Sequence, residues 1–433
     1  MTFIEQLPEI WQKHWRSSGF DEPSLIQEKS FTLLKNQENV LGISPTGSGK
    51  TLAYLLPLLL NVEKETGSQL LILASSQELA MQISKVTQEW GSLIQLRTQS
   101  LIGGANVSRQ IDKLKKKPEV LVGTPGRVLE LIKAKKIKSH LLKTIVMDEV
   151  DQLFHESELN LTKQILDSSS TKYQVVFYSA TADRVIEEAE KLADKLSVVD
   201  VSTEDRSAGQ VHHYFMRLSP RKKIDYLRSL SYTTNFRSMV FFNQVSELGA
   251  AEEKMIYQQI PVVGLASDQN KSLRKLAIDQ FSTKRVNVLL TTDIGARGLD
   301  FKEVPYVVNV EVPLSEESYI HRAGRVGRMG ADGVVLTFIN DATKRDYQRL
   351  MKKICYETKE VFLYDGELHL ERKEKSEASQ VETTPKKAIS KQPKKTIETP
   401  EKQEKPIEVI KEKAPKKKKR TKKSKNKGAR RKG

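Results

Sequence analysis

The sequence predicts an α/β protein with two parallel-sheet domains in tandem, followed by a basic tail. Short apolar runs, bounded by polar or turn residues, alternate with longer stretches that have helical spacing. Such runs are typical of parallel strands covered on both faces, and the alternation is typical of doubly wound sheets. The 433 residues are also too many for one ordinary core.

The first domain is predicted over residues 1–203. Its strand candidates are NVLGIS, QLLILAS, EVLVGT, TIVMD and QVVFYSA. Near its N-terminus, Trp11 and Trp15 lie four residues apart, which indicates helix packing and not a platform for stacking bases. The small and polar segment STEDRSAGQ then interrupts the alternation, and we interpret residues 204–210 as a linker.

The second domain is predicted over residues 211–368, where the alternation resumes. Its strand candidates are SMVFFN, PVVGLA, VNVLLTT, YVVNVEV and GVVLTFI.

Residues 371–433 form the tail, which contains 24 Lys and Arg but 9 Asp and Glu and so carries +15 of the chain's formal charge of +17. This segment is poor in aromatic residues and cannot bury enough surface to offset its ordering entropy, so we predict disorder.

Composition excludes several classes of protein. The chain has one cysteine, Cys355, which excludes a disulfide framework and fits a reducing compartment. We expect this side chain to be buried or half-buried. No apolar run reaches membrane-spanning length. We expect no secretory signal, because MTFIEQLPEI lacks a basic region followed by an apolar stretch. The sequence therefore predicts a soluble intracellular protein without membrane contact.

The segment SPTGSGKT follows a strand candidate and opens a helical run. In this context glycines allow backbone amides to approach phosphate oxygens, and the helix N-terminus favours negative charge. We expect Lys50 to reach the terminal phosphates of a nucleotide and the Thr51 hydroxyl to bind Mg²⁺. The other expected phosphate-binding residues are Thr46, Gly47, Ser48 and Gly49. The alternative is an ordinary turn, which the strand–helix setting disfavours.

The segment TIVMDEVDQLF ends an apolar run in three carboxylates. A nucleotide site needs an acid at a strand end to hold Mg²⁺, and Asp148 fits that position. Glu149 would orient and deprotonate the attacking water. Taken alone, the segment could equally be a solvated acidic turn, but its place after a phosphate loop favours the catalytic interpretation.

Hydrolysis also needs positive charge near the transferred phosphate. The segment YIHRAGRVGRMG places Arg322, Arg325 and Arg328 three residues apart, with Gly324 and Gly327 between them. Each glycine would cost about 1 kcal/mol in a plain surface helix, which argues against that alternative. Because these arginines belong to the second domain, we expect the ATP site to be completed in a cleft between the domains.

These segments, in this order, resemble the DEAD-box family of superfamily 2 RNA helicases, over nearly all of residues 1–368. The resemblance implies two RecA-like domains and an ATP-dependent RNA helicase. GFDEPSLIQ is similar to the family's Q motif, so Phe20 is implied to stack on adenine and Gln27 to read its edge. Asp300, in TTDIGARGLD, is implied at the ribose, while Arg325 and Arg328 are implied to be arginine fingers.

The resemblance also implies residues that couple ATP hydrolysis to RNA unwinding. DEVD stands at motif II, where Asp151 is implied to face the SAT segment, Ser179 to Thr181, and His321. Val150 replaces the family's Ala, and we expect packing to accommodate it.

Residues implied to contact the RNA backbone lie in both domains. They are Gly103, Gly104, Thr124, Pro125, Gly126 and Arg127 in the first domain and Arg274, Thr292 and Arg297 in the second, the last two near RNA or the domain interface. ASSQELA departs from the family's Pro-Thr-Arg-Glu-Leu-Ala, because Ser75 and Ser76 replace Pro and Thr and Gln77 replaces Arg. Lys271 replaces a usual Gln, so we expect RNA binding with a weaker contribution from the first domain.

The motifs leave three candidate functions. The first is a helicase in which ATP and RNA close the domains, one strand is held in a bent path, and short duplexes separate. The second is an ATP-switched RNA clamp or chaperone, in which unwinding is incidental. The third, a DNA helicase, is disfavoured by the Q motif together with DEVD.

The tail is expected to tether RNA without reading sequence, because its charge is dense and aromatics are lacking. A solubilising role and, from KKKKRTKK, an import signal are alternatives. Ribosomal or ribonucleoprotein partners are conceivable through this segment. We expect a cytoplasmic monomer.

Overall fold

A computed structural model describes residues 3–169, 172–182, 185–205, 209–299, 301, 303–327 and 331–372. The predicted tail lies outside the described residues apart from its first two positions. Part of the predicted linker, residues 206–208, also lies outside them. Within the described part of the chain, no helix combines the length and the apolarity that a membrane span requires.

The first domain contains a seven-stranded parallel sheet with the spatial order β3-β4-β2-β5-β6-β1-β7. The strands are β1 (Asn39–Ile43), β2 (Leu70–Ala74), β3 (Thr98–Leu101), β4 (Val120–Gly123), β5 (Thr144–Asp148), β6 (Gln174–Ser179) and β7 (Leu196–Asp200). Its helices are α1 (Glu9–Ser17), α2 (Leu25–Lys35), α3 (Lys50–Leu60), α4 (Gln77–Leu93), α5 (Val107–Leu114), α6 (Pro125–Lys133), α7 (Val150–Leu153), α8 (Glu156–Asp167) and α9 (Val185–Leu192).

The second domain repeats this architecture with the order β10-β11-β9-β12-β13-β8-β14. These strands are β8 (Val211–Arg217), β9 (Ser238–Phe241), β10 (Val262–Leu265), β11 (Val288–Thr291), β12 (Tyr306–Asn309), β13 (Gly333–Ile339) and β14 (Thr358–Glu360). Its helices are α10 (Lys223–Ser231), α11 (Val245–Tyr257), α12 (Lys271–Ser282), α13 (Asp293–Ala296), α14 (Glu316–Ala323) and α15 (Lys344–Lys353). A small antiparallel hairpin of β15 (Phe362–Tyr364) and β16 (Glu367–His369) follows.

Each sheet separates two apolar cores, as the pattern of continuous apolar runs requires. In β2, Leu70 and Ile72 join the core on one face, while Leu71 and Leu73 join the core on the other. All four are buried, and each fully buried Leu or Ile contributes about 1.5–3 kcal/mol relative to exposure. The predicted pair of parallel-sheet α/β domains is confirmed.

The parallel register determines where functional residues meet. Ile43, which ends β1, lies opposite Ser179 of β6, and Ala74, which ends β2, lies opposite Asp148 of β5. Because the carboxyl ends of these four strands share one edge, the segments that follow them are neighbours in space.

The tryptophans of α1 pack as helix-anchoring residues, as the sequence predicted. Trp11 and Trp15 are 0% and 2% exposed, and both rings lie edge-on to Trp90 of α4. The Trp11 indole N–H also donates to the Trp90 carbonyl over 2.9 Å. Cys355, in contrast, is exposed after the end of α15, so the expectation that it is buried or half-buried was wrong.

Replacing Trp11 by Ala should lower the free energy of unfolding of the first domain by about 3–5 kcal/mol, because a large buried side chain is lost. Urea denaturation followed by circular dichroism would measure this loss. Ile10→Ala is the matched control, since Ile10 is 46% exposed on the same helix. Equal destabilisation by both variants would contradict the anchoring role.

Candidate functional site between the two domains

The segment from Ser44 to Thr51 forms a loop between β1 and α3. Gly47 and Gly49 both adopt φ +85°, a conformation that side chains disfavour. A Cβ at Gly49 would also lie 2.5 Å from the amide nitrogen of Gln27. The loop therefore needs glycine at both turns, and its second glycine leads directly into the N-terminus of α3.

Side chains of this loop fold back onto its own backbone. The Lys50 ammonium donates to the carbonyl oxygens of Ser44 and Pro45 over 2.7 and 2.8 Å. Ser48 also donates to the Pro45 carbonyl, and its hydroxyl contacts that of Ser44. Lys50 is thus held at the mouth of the loop, where a phosphate group could replace these carbonyls as its partner.

The acidic segment begins at the end of β5. Asp148 is the last strand residue, and Glu149 turns the chain with φ +49° and ψ +53° before α7 begins. Val150, expected to be accommodated by packing, is fully buried in the same cluster as Leu153 and Phe177.

Asp148 is buried and bound on both carboxylate oxygens. It accepts hydrogen bonds of 2.9 Å from the Tyr54 hydroxyl and from the backbone N–H of Glu149. Burial, and then repulsion by Glu149, raise the pKa of Asp148 to about 6, against the opposing effect of Lys50. A cation would offset this repulsion, and Thr51, whose side chain carries a hydroxyl, lines the same cavity as Asp148. This oxygen donor set fits Mg²⁺.

Asp151 connects the two domains. It accepts from the Ser179 hydroxyl over 3.1 Å and pairs with His321 Nε2 over 2.8 Å. The Ser179 oxygen in turn accepts from the Thr181 N–H. Burial would raise the pKa of Asp151, but its bonds with His321 and Ser179 bring the pKa below its usual value. Burial would lower the pKa of His321, and Asp151 raises it above 6.5.

The second domain supplies arginines from the end of α14. Arg322 is 1% exposed and makes a bidentate pair with Asp293, at 2.6 and 2.8 Å, and also donates to Asn243 and Asn309. Arg322 therefore fixes α14 within its own domain. Arg325 donates to the Leu299 carbonyl and lines the interdomain cavity. The other predicted finger, Arg328, and the predicted ribose ligand, Asp300, lie outside the described residues.

A cavity of about 880 Å³ lies between the domains. The residues of the predicted ATP site that line it are Thr46, Gly47, Gly49, Lys50, Thr51, Asp148, Glu149 and Arg325. The Thr46 hydroxyl donates to the Gly324 carbonyl over 3.1 Å, and a Cβ at Gly324 would collide with Thr46. The phosphate loop, the acids and one predicted arginine finger are thus brought to one cavity.

Of the two Q-motif residues, Gln27 contacts the loop, whereas Phe20 packs against Trp15 of α1. Gln27 accepts from the Ser24 N–H over 2.9 Å and donates to the Gly49 carbonyl over 3.2 Å. Phe20 is half-buried and packs against Trp15, with ring centroids 5.0 Å apart. Gln27 therefore supports the phosphate loop directly, which its sequence pattern does not indicate.

The predicted RNA-binding residues of the first domain lie after β3 and β4. Thr124 precedes α6, Pro125 begins it, and a Cβ at Gly126 would meet open space. Arg127 is 9% exposed and binds Glu130 and the Ala105 carbonyl.

The predicted RNA-binding residues of the second domain lie on α12 and around α13. Arg274 forms an ion pair of 2.6 Å with Glu78 of the first domain. Thr292 is buried and accepts from the Gly295 N–H, which caps α13. Arg297 lines a second cavity of about 210 Å³ that also includes Glu149 and His321, so it lies at the domain interface.

Two contact residues escaped the sequence analysis. Gln152 contacts Glu317 and lies 3.5 Å from His321 Nδ1. Ligand atoms of Asp151, Glu317 and His321 lie within 4.8 Å of one another, which is compatible with a cation, but the Asp151–His321 pair already accounts for two of them.

Comparison with known proteins gives matches across both domains. The profile of the DEAD/DEAH box helicases matches residues 24–189, and that of the helicase conserved C-terminal domain matches residues 222–330. A probable ATP-dependent RNA helicase of Bacillus subtilis, YfmL, is 39% identical over 84% of this chain and 98% of its own length. The Bacillus cereus DEAD-box ATP-dependent RNA helicase CshC is 36% identical over 81% of this chain and 90% of its own length. The structure of Saccharomyces cerevisiae Dbp5 bound to RNA and ADP BeF3 has a TM-score of 0.76 and 30% identity, covering 83% of this chain and 95% of that one.

Raising the pH should weaken the contact between the domains. A raised His321 pKa means that the imidazolium form stabilises the contact fully below pH 6.5, and that this stabilisation is lost as pH rises through the raised pKa. The contribution of Asp151 is fully present above its usual pKa and is lost in acid, as pH falls through its lowered pKa. The other ionisable groups near the pair are Glu149, Arg325, His155 and Glu317.

Fluorescence energy transfer between dyes on the two domains, with RNA and an ATP analogue present, would measure domain closure from about pH 6 to about pH 9. His321→Asn, which cannot become charged, should show a flatter profile. The same pH dependence in both proteins would contradict the role of His321.

Proposed function

The chain belongs to the DEAD/DEAH box helicase family, and from this premise we propose that DEVD is its motif II and that ATP is hydrolysed in the interdomain cleft. It is an ATP-dependent RNA helicase of the DEAD-box type. The observation that supports the site assignment best is the cavity shared by the phosphate loop, Glu149 and Arg325.

ATP binding is assigned to the first domain. The amides of the loop and the N-terminus of α3 receive the phosphates, and Lys50 exchanges its loop carbonyls for phosphate oxygens. We assign adenine to Phe20 and Gln27 and ribose to Asp300. Gln27 bonds to Gly49, so recognition of the base would be transmitted directly to the phosphate loop.

Hydrolysis is assigned to groups from both domains. Glu149 accepts the proton of the water that attacks the terminal phosphate, and the ADP–phosphate bond breaks. Arg325, together with Arg328, stabilises the charge that develops on the transferred group. Mg²⁺, held by Thr51 and Asp148, supplies further neutralisation when it is bound.

RNA binding is assigned to the predicted RNA-binding residues of both domains. They would contact the sugar–phosphate backbone of RNA, which gives low sequence specificity. Closure aligns the two sets of RNA-binding residues, and the Asp151–His321 pair links closure to the catalytic acids. A strand held in a path that a duplex cannot follow separates from its complement, and loss of phosphate reopens the cleft. In the alternative function, an RNA clamp or chaperone, the closed state on RNA is the functional one and strand separation is incidental.

The basic tail is proposed to tether RNA or ribonucleoprotein partners through its charge. A cytoplasmic location and a monomeric state remain predictions from the sequence.

Glu149→Gln should reduce RNA-stimulated ATP turnover by at least about a hundredfold, because a general base is removed. The variant should close on RNA and release it slowly, which crosslinking and a filter-binding chase would measure. Glu190→Gln, the same change at an exposed position on α9, is the control. Normal turnover in Glu149→Gln would disprove the base assignment.

Two measurements on the wild-type protein distinguish the helicase from the RNA clamp: the rate at which short duplexes are separated and the lifetime of the complex with RNA. Release of short duplexes on the timescale of turnover supports the helicase. Long residence without release supports the clamp.

Gln77→Arg should tighten RNA binding when nucleotide is bound. The Gln77 amide lies beside Gly103, and Lys271 of the second domain donates to the Gly104 carbonyl, so a cation reaches this stretch from across the cleft. A cation on the first domain would add a phosphate contact and steepen the salt dependence of single-strand binding by about 0.7 per contact.

Fluorescence anisotropy at several salt concentrations would test this expectation. Gln88→Arg adds the same charge at an exposed position further along α4 and should change binding little. No gain from Gln77→Arg beyond that control would refute the idea.

A further inference from the structure

A serine hydroxyl holds the proposed catalytic base. Ser75 Oγ lies 3.0 Å from Glu149 Oε2 and donates a hydrogen bond to it. Ser75 follows β2 directly, and Glu149 follows β5 directly. Because Ala74 and Asp148 are paired in the parallel register, the next residue of each strand meets the other at the sheet edge. The contact thus follows from the sheet itself.

The adjacent serine has a different task. The Ser76 hydroxyl accepts a hydrogen bond of 3.1 Å from the Leu79 N–H and caps the N-terminus of α4. A cap of this kind fixes the chain where it leaves β2 for α4. Ser75 is therefore presented from a segment anchored on both sides, by β2 and by the capped helix.

The backbone of Glu149 is also fixed, but its side chain has several rotatable bonds. The left-handed turn and the N–H bond to Asp148 determine where the side chain starts. A donor on Oε2 restricts the remaining rotamers, and a carboxylate held by one oxygen can present the other to water. Glu149 lines the same cavity as the phosphate loop, where that water would have to lie.

We propose that Ser75 is a positioning residue for ATP hydrolysis, which orients the Glu149 carboxylate toward the attacking water. This inference rests on the proposed function, because it requires Glu149 to be the base. Where the family pattern has proline, this chain has a hydroxyl, and proline could not make the bond. The positioning device is therefore specific to the serine in this sequence.

Steady-state ATPase kinetics with saturating RNA would test the inference. Ser75→Ala should lower kcat by about tenfold, since misplacement of a catalytic group by about 1 Å can cost up to a hundredfold. The KM values for ATP and RNA should stay within about twofold, because the variant leaves binding groups intact. Ser75→Thr keeps a hydroxyl and should recover most of kcat. Ser92→Ala, at an exposed position near the end of α4, should match the wild type.

A double-mutant cycle separates positioning from a general structural effect. In a Glu149→Gln background, single-turnover hydrolysis should be changed less than about twofold by Ser75→Ala, since no base remains to be oriented. An equal loss in both backgrounds would show a structural role and overturn the inference. So would an unchanged kcat in Ser75→Ala.

The proposed function is judged on a different result. If the wild-type protein lacks RNA-stimulated hydrolysis, both the proposed function and the role of Ser75 are overturned. If the wild type turns over and Glu149→Gln does not, but Ser75→Ala is normal, only the positioning role fails.

Discussion

Three carboxylates within four residues repel one another, and the arrangement of the interdomain site follows from how that repulsion is relieved. Asp148 is bound by Tyr54 and by the next backbone N–H, Glu149 by Ser75, and Asp151 by Ser179 and His321. Each acid has a different partner, and on the proposed assignment this one short segment would serve a cation, a water and the second domain. Burial, and then repulsion by Glu149, raise the pKa of Asp148, and a positive ion beside this carboxylate would offset that repulsion.

On the proposed assignment, the contact of Asp151 with His321 across the cleft links ATP hydrolysis to closure of the domains. His321 belongs to α14, which Arg322 ties to its own domain through Asp293, Asn243 and Asn309. His321 and Arg325 therefore move together with the second domain. The bond from Thr46 to Gly324 brings the phosphate loop against the same turn. A site assembled in this way is complete only when both domains are in contact.

The sequence predicted the interior of the fold better than its margins. All ten apolar runs that it singled out are strands, because each is covered on both faces. It did not identify β3, β7, β8, β14, β15 or β16. Many of their residues are half-exposed, and short length or polar side chains, as in TQSL and VHHYFMR, conceal the pattern. The motifs placed the phosphate loop, the acids and Arg325 at one cavity. The Arg322 network, the Gln27–Gly49 bond and the exposure of Cys355 depend on tertiary contacts that spacing along the chain does not encode.

The segment from Ser75 to Gln77 shows how one short departure from a family pattern separates into independent physical effects. Ser75 gains a contact to an acid, Ser76 retains a helix cap, and Gln77 gives up a cation. The missing charge is supplied next to Gly104 by Lys271 of the other domain. A cation carried by the first domain would attract RNA whether the cleft is open or closed. On the proposed function, a cation carried by the second domain would reach this stretch on closure, so more of the RNA affinity would be tied to the state in which the proposed catalytic groups are assembled.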